Sequence, residues 1–224
     1  MLAINEANHL IFFYAGAVYA GPGSPWQVIN PADQFTVFGN PCLLYSDAAS
    51  AVLGYARDLN GNLIEVVYQE ATGWNANNAT ATIERGSQLP SIQALEDLLQ
   101  GFALAGDPAA IIANEQVQVY ARAWQINASG EITYALIQYT RPEMGGAWDF
   151  TNFGDSMGID ILYDPVVLSS GTTVRVYANV FGCDLMELQV PAVGRPTQST
   201  ITAGTSISGH VVGNPGVVSD SNNV

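Results

Sequence analysis

Positive charge is what this sequence has least of. Its 6 Lys+Arg residues stand against 20 Asp+Glu, giving a net charge of -14 and a pI near 4.1. Phosphate backbones and anionic lipid surfaces are held by clustered cations, so the composition argues against nucleic acid and membrane surfaces as partners and fits solubility and colloidal stability. Histidine is also scarce. His9 and His210, the 2 in the chain, lie near opposite ends, neither beside a Ser or Cys in a nucleophile motif, and no metal-ligand spacing appears. Neither catalysis nor a cofactor or metal is therefore expected. The 2 cysteines, Cys42 and Cys183, are too few for a disulfide framework or a zinc site, and they read as free thiols. No apolar run approaches the ~20 residues that span a bilayer. The stretch from His9 to Ala20 is apolar but lacks the preceding cationic segment of a signal sequence, and Ile11, Phe12, Phe13 and Tyr14 read as a strand. The compartment stays open, so Asn78-Ala79-Thr80 and Asn127-Ala128-Ser129, which match the glycosylation acceptor pattern, have meaning only on a secretory route.

What the chain has in abundance is a repeat. A unit opens with Asn or Asp followed by Pro and a short apolar strand, at Asn40-Pro41, Asp107-Pro108, Asp164-Pro165 and Asn214-Pro215, and these prolines are 67, 57 and 50 residues apart. Such intervals fit one four-stranded propeller blade with loops of variable length. A second strand with a central tyrosine follows, over Val52–Arg57, Val117–Arg122 and Val174–Asn179, with the alternation of a half-buried strand. Asp58-Leu59-Asn60-Gly61-Asn62 then reads as a tight hairpin turn, Asn-Gly supplying the positive φ, rather than as half of a calcium loop. Third strands follow over Leu63–Tyr68, Ile132–Ile137 and Leu185–Val190, and after each comes a Trp, at Trp74 and Trp148, replaced by Arg195-Pro196 in the last full copy.

At the N-terminal end, Asn8–Tyr14 aligns with the third strand and Trp26 with Trp74, while the last unit runs only through an opening strand near Asn214–Val218. Two partial units add up to one whole. The expected fold is therefore all-β: one domain over 1–224, a small β-propeller of about four blades closed by strands from both ends of the chain, which removes exposed edges. One segment departs from the pattern. Behind Pro90, the stretch Ser91–Gln100 has apolar residues at helical spacing and predicts a short helical insertion over about 90–101. A partial propeller completed by a second copy reads the same way, which keeps a homo-oligomer among the expectations.

These units resemble the blades of sugar-binding β-propellers, the fungal fucose-binding lectins and the related PLL-type bacterial lectins. The resemblance rests on Tyr55–Glu65 followed by Gly73-Trp74-Asn75, and on the Gly-Asx-Pro openings at Gly39, Gly106 and Gly213, and it covers the chain apart from the insertion and the tail. It implies glycan partners held between neighbouring blades, fucose or a related monosaccharide, by Arg, Glu and an aromatic platform. The chemistry suits such a ligand: a carboxylate accepts from adjacent hydroxyls, a guanidinium donates in a fixed fork, and an indole covers the apolar face of the ring. Carried over by position, Arg175 with Glu187 reproduces both polar places. Glu65 matches the Glu with Leu53 at the Arg position, Gln118 and Tyr134 occupy the two places in the next copy, and Phe12 stands for the Glu in the first. The expected sugar-binding residues are Arg175, Glu187, Glu65, Trp74, Trp148 and Trp26.

Two other readings compete. Blade-to-blade packing explains a recurrent Trp as well as stacking does, and the erosion of the Arg and Glu places favours a non-enzymatic structural or protein-interaction platform. Asp149, Asp155 and Asp160 after Trp148 are the carboxylates from which a glycosidase pair would have to come.

Overall fold

The structure, a computed structural model, describes residues 2–4, 10–14, 27–29, 36–79, 103–126, 131–182, 184–201, 213 and 215. The expected insertion over 90–101, the residues after Asn214 apart from Pro215, and His9, His210, Cys183 and Trp26 lie outside them.

Antiparallel strands dominate. Sheet I has the order β1 (Leu2–Ile4), β2 (Leu10–Tyr14), β3 (Gln27–Ile29). Sheet II is a four-stranded meander of β4 (Val37–Ser46), β5 (Ala51–Asp58), β6 (Leu63–Gln69) and β7 (Gly73–Asn78). Sheet III repeats the plan, with β8 (Ala103–Leu104) and β9 (Ala109–Ala113) both on β10 (Gln116–Ile126), then β11 (Ile132–Pro142) and β12 (Asp149–Asn152). Sheet IV consists of β13 (Val166–Ser170), β14 (Thr173–Val180), β15 (Asp184–Pro191) and β16 (Thr197–Thr200). The three successive meanders II to IV correspond to the three complete repeats of the sequence. The one described helix, α1 (Phe153–Met157), was not expected; the Asn152 side chain caps its start and left-handed Gly158 ends it.

The Asx-Pro motif explains the way each meander opens. Proline has no N–H to give a ladder, and the opening strand breaks there in each of the three described meanders. In sheet II the register shifts between Phe38 and Cys42. In sheet III the break separates β8 from β9, and in sheet IV it separates the isolated bridge Ile161↔Val180 from β13. Gly39 turns the first break at φ +78, where a Cβ would collide with the Asp107 carboxylate of the next sheet. That glycine thus serves both the bend and the close approach of neighbouring openings.

The sheets pack face to face in chain order. Leu53, Tyr55 and Leu63 of sheet II meet Val117, Val119, Ala121, Ile137 and Tyr139 of sheet III. From the other face of sheet III, Tyr120 and Leu136 meet Val174, Val176, Met186 and Leu188 of sheet IV. Alternation along each strand sends successive residues to opposite neighbours, so a central sheet is apolar on both faces and polar groups there must find partners. Cys42, a free thiol, packs against the first of these cores, and burial pushes it up to about 12, which keeps it protonated. Arg122 joins sheet III to the segment that leads into sheet IV, its Nη1 donating to the Leu162 carbonyl at 2.6 Å, while its Nη2 donates to the Ala105 carbonyl at 3.2 Å.

Candidate functional site

In each complete meander the second-strand tyrosine lies directly across the ladder from one third-strand side chain. The pairs are Tyr55↔Glu65, Tyr120↔Gln138 and Tyr177↔Glu187. In all three the tyrosine hydroxyl hydrogen-bonds a neighbouring acid or amide. The differences lie in what completes each set.

In sheet IV the set is Arg175, Tyr177, Glu187 and Gln189. Arg175 and Tyr177 are two apart on β14, and Glu187 and Gln189 two apart on β15, so all four project from one face. Arg175 Nη1 and Tyr177 Oη each donate to Glu187 Oε1 at 2.9 Å, and Gln189 Nε2 donates to Oε2 at 2.8 Å. Arg175 is half-buried, at 28% exposure, whereas Glu187 beneath it is nearly buried, at 11%. Burial works against the charged form of Glu187, but donation from Gln189, Tyr177 and Arg175 outweighs it and holds the carboxyl below its ordinary value. Bonding to Tyr177 and Glu187 correspondingly raises Arg175, so the pair is charged across the neutral range. Arg175 Nε is a buried donor with no partner among the described residues.

In sheet II the same pair is closed. Tyr55 Oη donates to Glu65 Oε1 at 2.9 Å, and Arg141 of sheet III converges on that oxygen through Nε at 3.0 Å and Nη2 at 2.6 Å. Nη1 of the same guanidinium donates to the carbonyls of Pro142 and Glu143. Its central carbon lies 5.2 Å from the Trp148 ring centroid, within cation–π range. Trp148 in turn meets Tyr55 and Tyr139 edge-on. The pair is sealed, with Arg141 at 5% and Glu65 at 7% exposure. Burial and the Glu65 charge hold the Tyr55 phenol well above its ordinary value.

In sheet III the charge has gone. Tyr120 Oη donates to Gln118 Oε1 at 2.7 Å, and Gln138 Nε2 donates to both Tyr120 Oη and Gln118 Oε1, all of it buried. The alignment that set Tyr134 at this place is corrected to Gln138. The β10–β11 hairpin is longer than its counterparts, and its register pairs Tyr134 with Trp124. Tyr134 lies instead under the guanidinium of Arg122.

Of the expected residues, the structure brings Arg175 to Glu187 and Trp148 toward Glu65 through Arg141. It does not bring Trp74 to Glu65. Trp74 pairs with Tyr68 on the opposite face of sheet II, 5.1 Å between ring centroids. Trp26 lies outside the described residues. Sequence reasoning missed Arg141, Gln138 and Gln189. The first carries no signal at all, since Tyr68 and Val190 hold the corresponding places in sheets II and IV. Of the three carboxylates after Trp148, Asp149 accepts from the N–H of Phe150, Asp155 sits in the first turn of α1, and the backbone of Asp160 forms an isolated bridge with Ala135. Among the described residues no group of three or more His, Cys, Asp or Glu side chains is arranged to hold a metal ion.

No protein-family model matches this chain, and no curated protein matches it. Solved structures do show similarity. The Aleuria aurantia lectin, in a mutant bound to Fucalpha1-6GlcNAc, aligns at 12% identity and a TM-score of 0.48, covering 91% of this chain and 60% of the lectin. A fucose-specific lectin structure from Aleuria aurantia aligns at 14% identity and a TM-score of 0.48, over 88% of this chain and 57% of that one. The polysaccharide lyase Uly1 aligns at 9% identity and a TM-score of 0.46, over 88% of this chain and 46% of the lyase. The chain thus spans less than two thirds of each of these proteins. The resemblance to propeller lectins expected from the repeats therefore recurs among solved structures.

Proposed function

We propose that this chain is a carbohydrate-binding protein, a small propeller of about four blades, and that its working groove lies over the Arg175, Tyr177, Glu187 and Gln189 face of sheet IV. One observation carries the reading: this polar set is the least buried of the three Tyr-centred sets, with Arg175 half-buried at 28% exposure, and it retains a buried donor, Arg175 Nε, without a described partner. An ionised carboxylate has about four acceptor sites, and Glu187 uses three for its own neighbours. A vicinal pair of sugar hydroxyls can take the remaining acceptor capacity while accepting from the guanidinium. The internal bonds fix the rotamers in advance, so little side-chain entropy is lost on binding. The ligand is fucose or a related monosaccharide at a glycan end.

Glycan-array screening of the full chain tests this. We expect saturable binding that is lost in Arg175→Ala and in Glu187→Ala, each costing about 1.5–3 kcal/mol, the range for hydrogen bonds to charged groups. Binding unaffected by both substitutions would remove the site. A blank array favours the second reading, a rigid interaction platform, which draws its support from the sealed Glu65–Arg141 set and the neutral Gln118–Tyr120–Gln138 set.

A further inference from the structure

The hairpins that join the second and third strands of sheets II, III and IV share a feature that neither their turns nor the Arg175 face uses. Four residues after its central tyrosine, each copy carries a large apolar side chain: Leu59 after Tyr55, Trp124 after Tyr120 and Phe181 after Tyr177. Backbone pairing makes these places equivalent. Each lies across from the residue four before the Asx of its own opening motif, with the Leu59 N–H donating to the Thr36 carbonyl, the Phe181 N–H to the Asp160 carbonyl, and Trp124 paired with Ala103. Leu59 and Phe181 are nevertheless 70% and 82% exposed, and Trp124 is half-buried.

The fold does not call for these side chains. In the sheet II turn, Asp58, Gly61 and Asn62 make the hairpin, and Leu59 contributes only its N–H, which any residue but proline supplies. The three places lie at one end of the stack, because the Gly61 carbonyl of the first hairpin accepts from Leu104 at the opening of sheet III, and Arg122 donates to Leu162 before sheet IV. Single exposed apolar residues are ordinary, but a row of them at one end of a molecule marks an interaction surface. Charge selects the partner. Glu131, Asp160 and Asp184 are exposed beside the row, whereas the described arginines of that end, Arg57 and Arg122, are half-buried. A second copy, with its own net charge of -14, and an anionic bilayer both meet repulsion there.

We infer that this end of the stack docks a cationic amphipathic helix of another protein, its apolar face on Leu59, Trp124 and Phe181 and its Lys or Arg side chains toward the carboxylates. Stacked sheets lie about 10 Å apart and two helical turns rise about 11 Å, so the partner's apolar anchors recur at every seventh residue. The surface works independently of the sugar site.

The test uses the full chain and a synthetic helical peptide of about 20 residues, long enough for three anchors two turns apart, built from Lys and Ala with Leu at every seventh place. A scrambled peptide of the same composition is the control, and titration calorimetry reads affinity. We expect saturable binding of the patterned peptide that weakens with salt, falls about tenfold or more in the Leu59→Ser, Phe181→Ser double variant, as for lost apolar anchors, and also falls in Asp160→Asn combined with Asp184→Asn. Glycan binding should be unchanged in both variants, so failure here and failure of the Glu187 site are read separately. Equal affinity for the scrambled peptide, full affinity in the Leu59→Ser, Phe181→Ser variant, or no binding of the patterned peptide overturns the inference. So does self-association of the native chain, or its capture by phosphatidylcholine vesicles, when the same two serines abolish it, since the row then serves a second copy or a membrane.

Discussion

Glu65 and Glu187 occupy equivalent places and do different physical work. Glu65 is a member of a sealed ion pair, so removing its partner strands a buried charge. Arg141→Ala is expected to cost about 3–5 kcal/mol in urea unfolding, and Glu65→Gln combined with Arg141→Val much less than the sum of the two single changes. Equal costs for the single and the paired change would contradict the sealed-pair account. For Glu187 the direction of the pKa shift fixes the pH dependence. Its folded carboxyl lies below the ordinary value of 4.5, so its contribution to stability is complete above that value and disappears as pH falls through the lower, folded one. Sugar binding should follow the same course and persist through the ordinary carboxylate range, while Glu187→Gln should flatten that part of the acid unfolding profile. An unfolding profile in Glu187→Gln that tracks the native one through this range would contradict the assignment. At this scale the sequence showed the Tyr-centred strands and the Arg175, Glu187 pair, because those lie within one repeat. Arg141 was illegible because its partner comes from another sheet, and strand periodicity says nothing about which residue a neighbouring sheet presents.

The elements were the most legible level, since turn chemistry and alternation are local. Asp58 Oδ1 accepts from the N–H groups of Asn60 and Asn62 at 2.9 and 2.8 Å, and Oδ2 accepts from Asn62 Nδ2 at 2.8 Å, closing the hairpin read from Asp58–Asn62. Gly61 in that turn has φ +78, and a Cβ there would sit 2.5 Å from the Ala103 Cβ. Its carbonyl also accepts from the Leu104 N–H at 2.8 Å, joining the turn to the opening of sheet III. Gly61→Ala should therefore destabilise by more than the ~1 kcal/mol of a left-handed backbone alone, measured by chemical denaturation, whereas the same change at Gly73, also at positive φ but with nothing within 4 Å, should cost only that backbone share. Equal costs at the two glycines would contradict the contact. Two elements depart from the sequence reading for physical reasons. The long β10–β11 ladder shifts the alignment of its third strand by four residues, from Tyr134 to Gln138, because hairpin length is set by where pairing stops rather than by the repeat. The short helix α1 depends on the Asn152 cap and Gly158 stop, a signal too brief to stand out beside the strands.

For the whole molecule, the three meanders stack through shared cores, which accounts for a chain so rich in apolar strand residues and so poor in cations. Closing of the ring within one chain is a proposal that rests on the repeat. Asn179 Nδ2 donates to the Gly213 carbonyl at 2.6 Å, at the register where Arg122 reaches forward to Leu162. The fourth opening thus starts beside sheet IV as the earlier openings start beside the sheets before them. A monomeric mass in solution accompanies a ring closed within one chain, and a dimer accompanies one completed by a second copy. The central claim concerns function, and the 6 cations of the sequence are all arginines, which makes it directly observable. The measurement is an NMR titration of the arginine Nε–H signals with the best-bound monosaccharide. The account predicts a saturable shift of the Arg175 signal, whose donor is buried and without a described partner, while the Arg141 signal, committed to Glu65, stays fixed. A bound sugar that leaves Arg175 unmoved would contradict it.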